Sequence, residues 1–77
     1  MERMEDKKIL KAAMKTRGMV QVVLAERLGV TQTALSGNMN RNRMSLDVFM
    51  DILNELDYDV VVVDRKTGES VWTVAHD

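Results

Sequence analysis

The sequence predicts a mainly α domain that ends in a β-hairpin. Three observations lead there. Apolar residues recur at helical spacing up to about residue 57, with glycine or a hydroxyl residue at the segment ends. From residue 58 the pattern changes to valine-rich runs around a glycine turn. The 77 residues, 45% hydrophobic and 30% charged with neither proline nor cysteine, suffice for one small soluble core. A single domain over 1–77 is therefore expected, with a helical unit at 6–57 and a hairpin at 58–74. A chain of this size buries only about 60% of the surface its unfolded form exposes, so oligomerisation is the expected support.

In the first helix, expected over 6–15, Ile9, Leu10, Ala13 and Met14 share one side and lysines the other, and Gly18 is placed to stop it. A second helix of barely two turns covers 21–28, with Val23, Leu24 and Leu28 as its apolar positions. Gly29 ends it, because a tight turn at positive φ is tolerated cheaply by glycine. Thr31 can cap a third helix in which Leu35 and Met39 face inward. Gln32, Thr33, Ser36, Gly37 and Asn40 then share an outward face that carries no charge. Residues 40–44 read as a basic polar loop. Ser45 caps a fourth helix with a broad apolar stripe of Leu46, Phe49, Met50, Leu53 and Leu56. Strands are expected at 58–64 and 70–74, joined by a turn containing Gly68.

Charge is informative once the chain is divided. Residues 1–45 hold nine bases against four acids (+5), and residues 46–77 hold two bases against eight acids (−6). Such polarity is expected of a molecule that presents one end to a polyanion, although segregated solvated charges would give the same arithmetic. Other classes lack their parts. Without cysteine and with His76 as the one histidine, thiolate zinc sites, disulfide frameworks and Cys/His or Ser/His/Asp catalysis are not supported. No pair of titratable groups is arranged as acid and base, so no enzyme is expected. No cofactor is implied. Asp57, Asp59 and Asp64 lack the loop spacing of an oxygen-ligand metal site. The longest apolar run, Val60 to Val63, is far below the roughly 20 residues of a bilayer span, and residues 1–15 are charged rather than signal-like. A cytoplasmic protein is expected.

The stretch from Gln21 to Ser36, QVVLAERLGVTQTALS, resembles the helix-turn-helix of lambda repressor and Cro-like regulators, the XRE family. Its residue types have physical reasons: Ala25 is small where two helices cross, Gly29 makes the turn, and Val30 and Leu35 are expected to bury the joint. With one helix before this unit and one after, the resemblance covers residues 6–57. It implies a DNA-binding protein in which Thr31, Gln32, Thr33, Ser36 and Gly37 enter the major groove. Glutamine can pair two-pronged with N6 and N7 of adenine, and threonine can offer a hydroxyl to a base or a methyl to that of thymine. The resemblance further implies phosphate contacts from Gln21 at the start of the second helix and from Asn40, Arg41 and Arg43 in the loop. Three positions depart from the family pattern. Gly37 replaces a long polar residue, Val20 stands where a threonine or serine cap is usual, and Asn38 replaces an apolar residue whose packing Met39 is expected to take over.

Val60, Val61, Val62 and Val63 put apolar side chains on both faces of one strand, so covering one face leaves the other bare. Two chains are expected to associate through their hairpins, with Val61, Val63, Val71, Trp72 and Val74 as contacts; the alternative is a hairpin that caps the monomer's own core. Symmetric pairing sets two third helices roughly 34 Å apart and predicts a palindromic operator. The expected function is a homodimeric sequence-specific transcriptional regulator, a repressor that occupies an operator on double-stranded DNA. One alternative is the antitoxin of a toxin–antitoxin pair, with a toxin as second partner; another is a protein–protein adaptor that touches no DNA. The seven methionines read as core filler, and Trp72 as packed within the hairpin rather than as a base-stacking platform.

Overall fold

The computed structural model describes residues 3–41 and 44–75. Among these the elements run α1 (Asp6–Arg17), α2 (Gln21–Leu28), α3 (Gln32–Met39), α4 (Leu46–Glu55), β1 (Val61–Val63) and β2 (Ser70–Thr73). The chain is mainly helical with a small antiparallel hairpin. Its principal extents are 41 × 24 × 23 Å.

Local chemistry explains where the helices start and stop. α1 and α2 both end on a glycine in the left-handed region, Gly18 at φ 66° and Gly29 at φ 70°, where any side chain would be strained. The chain then folds back through Met19 N–H to Met14 O (2.9 Å) and Val30 N–H to Ala25 O (3.0 Å). α3 and α4 start on hydroxyl caps: Thr31 Oγ1 accepts from Ala34 N–H (3.1 Å) and Ser45 Oγ from Val48 N–H (3.2 Å). α2 has no such cap, since its N-cap is Val20. α1 runs to Arg17, two residues beyond the expected end at Lys15, because Gly18 and not the last apolar residue terminates it.

Every helix sends a fully buried aliphatic side chain to one core: Leu10 from α1, Leu24 from α2, Leu35 from α3 and Ile52 from α4, joined by Leu56 just after α4. Each such side chain contributes about 1.5–3 kcal/mol relative to leaving it in water. Ala25, also buried, keeps the α2–α3 crossing close. α4 packs against both α1 and α2. That two-sided packing explains two differences from the expected stripe. Ile52 lies outside a one-sided stripe yet is wholly enclosed, because the second neighbour widens the buried arc. Leu46 was expected inside and is 63% exposed. As the first residue of α4 its side chain leans back past the packed layers.

Val30 also departs from expectation. It is 42% exposed, so the joint is closed by Leu24, Ala25 and Leu35, while Val30 lines a small cleft beside Leu28 and Val48. The left-handed Gly29 directs the chain outward at that point. Val23, read as apolar-periodic, is likewise on the surface. Met39 is buried as anticipated beside the half-buried Asn38. Met14 and Met50 are buried too, Met19 and Met44 pack against the core, and Met4 lies outside.

The strands are shorter than the valine pattern suggests. Tyr58 and Val60 pack against the helical core; Val60 O already accepts from Val74 N–H (2.7 Å), and the strand itself begins at Val61. Val61 pairs with Thr73 and Val62 with Trp72; the register then slips, so Val63 faces Ser70 and Val71 is the extra residue of a β-bulge. The loop is tied by Gly68 N–H to Asp64 O (2.7 Å), with Gly68 at φ 76°, and by Lys66 N–H to Asp64 Oδ1 (2.8 Å). Trp72, expected to be packed within the hairpin, is 68% exposed. It pairs across the ribbon with Val62, itself 45% exposed.

Candidate nucleic-acid interface

The outward face of α3 is built by its cap and its buried side. Thr31 fixes the first turn, and Leu35 and Met39 point into the core. The 3.6-residue period then turns Gln32, Thr33, Ser36 and Gly37 outward together. Gln32, Thr33 and Gly37 are exposed and Ser36 is half-buried. These four line one open concavity of about 480 Å³ together with Gln21, the first residue of α2. The structure thus gathers five residues that lie sixteen positions apart in sequence, and none of the five carries a charge. Thr31, the remaining expected base contact, is exposed at the start of the same helix, with its hydroxyl already accepting from Ala34 N–H.

The rim of the concavity supplies donors. With Val20 as an extended N-cap that makes no side-chain hydrogen bond, the first N–H groups of α2 are left for an external acceptor. That end of a helix also carries partial positive charge. Gly37 leaves open space: a Cβ placed there meets nothing within 4 Å, and its backbone is not left-handed. Glycine at this site is therefore not a demand of the fold.

At the far end of α3 the expected phosphate contacts divide. Asn40 turns back on its own helix, Nδ2 donating to Ser36 O (2.9 Å) and Ser36 Oγ (3.4 Å), so part of its donor capacity is spent on closing the helix end. Arg41 is exposed. Arg43 lies outside the described residues.

The hairpin residues are distributed over both faces. Val61, Val71 and Trp72 are exposed, and Val63 and Val74 are half-buried. Val62, 45% exposed and directly opposite Trp72, was missed by the sequence reading. Four consecutive valines carry no signal of face, and only the register assigns Val62 to the tryptophan's side.

Among the described residues no cluster of three or more His, Cys, Asp or Glu could hold a metal ion, and no helix is long and apolar enough to cross a membrane. No family model, curated protein or solved structure matches the chain.

Proposed function

We propose that this chain is a sequence-specific DNA-binding regulator with a lambda repressor/Cro-like helix-turn-helix, acting as a homodimeric repressor on a palindromic operator. One observation carries the reading: the uncharged concavity in which Gln21 of α2 meets Gln32, Thr33, Ser36 and Gly37 of α3. A surface that reads base edges needs short or amide side chains able to donate and accept, on a helix slim enough for the major groove. Gln32 would pair with adenine, and Thr33 and Ser36 would meet neighbouring bases. Gln21 and the uncapped N–H groups of α2 would take a phosphate, and Arg41 with Arg43 would add salt-dependent grip on the backbone. The acidic half of the chain, residues 46–77, is kept for association rather than for phosphates.

Dimerisation completes the reading. The exposed Val62 and Trp72, opposite each other on one side of the ribbon, would be covered when two hairpins meet, and the pair would present two α3 helices to one side of a duplex about one turn apart. Bound there, the protein would repress by occlusion. The test is selection of duplexes from a random pool at a stated salt concentration. An inverted repeat with half-sites one turn apart is the expected consensus; an asymmetric consensus removes the dimer, and none at all removes DNA readout.

A further inference from the structure

Besides the packing of Tyr58 and Val60 on the core, the link between helices and hairpin is gripped by a side chain from a distant part of the sequence. Arg17, in the last turn of α1, donates from Nε to Leu56 O (2.9 Å) and from Nη2 to Asp57 O (3.2 Å). Its guanidinium carbon stands 4.0 Å from the centre of the Tyr58 ring. The three residues it engages, Leu56, Asp57 and Tyr58, form the corner where α4 ends and the chain sets off towards β1. α4 has no basic residue in its own last turn, so α1 supplies the cation that its C-terminal carbonyls attract. The corner is also unusual in its backbone. Asp57 takes φ 63°, the one non-glycine residue at positive φ among those described, and Tyr58 N–H closes the turn on Leu53 O (2.9 Å).

We infer that Arg17 is a positioning residue that latches the hairpin at a fixed angle to the helices and, on the reading proposed above, thereby sets the half-site spacing the dimer accepts. The planar guanidinium suits the task because two carbonyls and a ring face are engaged at once, an arrangement a lysine's single ammonium cannot reproduce. If dimerisation is through the hairpins, the angle at this corner fixes where each α3 lies relative to its twin. An error of one base pair in spacing rotates a half-site by about 34° around the duplex axis. A dimer with a stiff corner rejects that rotation, and one with a loose corner absorbs it.

Two measurements test this, and they fail separately. The chain has no cysteine, so Asn40→Cys and Arg65→Cys introduce a pair of spin labels, one at the end of α3 and one in the hairpin loop. Diluted with unlabelled chain, they report the intrachain distance. The expected distribution is narrow with Arg17 present, broad in Arg17→Ala and intermediate in Arg17→Lys. An unchanged distribution in Arg17→Ala overturns the latch whether or not the protein binds DNA. The second measurement takes the selected operator with spacing changed by one base pair. Simultaneous engagement of two half-sites is worth about 10²-fold or more in affinity. Wild type should lose most of that on the shifted site, and Arg17→Ala should lose about tenfold or less. Leu10→Val, a core change in α1 seven residues before Arg17, controls for lost stability and should keep the wild-type preference. Equal spacing preference in wild type and Arg17→Ala overturns the inference alone. Absence of duplex binding by wild type overturns the proposed function and the spacing claim with it, while the distance measurement still decides the latch.

Discussion

Position 37 sits in the middle of the outward face of α3, with nothing within 4 Å of where a Cβ would stand. Glycine inside a helix costs about 1 kcal/mol relative to alanine through backbone entropy. Gly37→Ala should therefore raise stability by roughly that amount, which in a domain of this size is a rise of about 4–8 °C in Tm. The same variant should weaken operator binding if the bare backbone is approached closely by the duplex. A melting curve and a binding titration on one preparation separate the two effects; a fall in Tm would show that a methyl group at position 37 meets a neighbour. At this scale much was legible in the sequence. Gln32, Thr33 and Ser36 could be placed on one face because the period of Leu35 and Met39 dictates it. Asn40 could not be resolved the same way. Its amide can reach outward or back to Ser36, and sequence spacing does not distinguish a helix-end bond from a phosphate contact.

Among the elements, α2, like α1, starts without a side-chain cap, and its N-cap residue Val20 has no polar side-chain atom to offer. Val20 sits at its N-cap with extended backbone and 57% exposure, the conformation an aspartate or serine cap would use. Val20→Asp should stabilise the fold by about 1 kcal/mol, from the cap and from a negative charge at the positive end of the helix. It should also weaken DNA binding, because the carboxylate would occupy the N–H groups and repel the phosphate proposed to sit there. Stability rising while affinity falls is the expected signature, read by denaturant unfolding and by retention on the operator. Unchanged affinity would remove the α2 terminus from the interface. Helix boundaries were legible because glycines and hydroxyls mark them chemically. The interior of α4 was less so: Ile52, outside the expected stripe, is buried and Leu46, within it, is exposed, because burial there depends on having two neighbours, α1 and α2. The strands were the least legible, since a valine run specifies extended backbone but neither its register nor the bulge at Val71.

For the whole molecule the decisive question is what covers the hairpin. Trp72 is the one tryptophan of the chain, it is the most exposed of the large apolar residues among those described, and it pairs across the ribbon with Val62. An aromatic side chain of this kind buries about 150–250 Å² when enclosed, so leaving it in water forfeits a large share of the free energy a domain this small can assemble. If two hairpins meet, the indole leaves water on association. Its fluorescence maximum should move to shorter wavelength as concentration rises, and the melting temperature should rise with it by mass action. Trp72→Glu would place a charge in that contact and should yield a monomer by sedimentation. Its helical signal should survive, because the core of Leu10, Leu24, Leu35, Ile52 and Leu56 contains none of the hairpin strands. Operator affinity should fall much further in this variant than binding to an isolated half-site, since only the coupling between the two halves is lost. A wild-type chain that sediments as a monomer at every concentration, with an indole spectrum that does not move, would leave a single-headed binder and remove the reason to expect a palindrome.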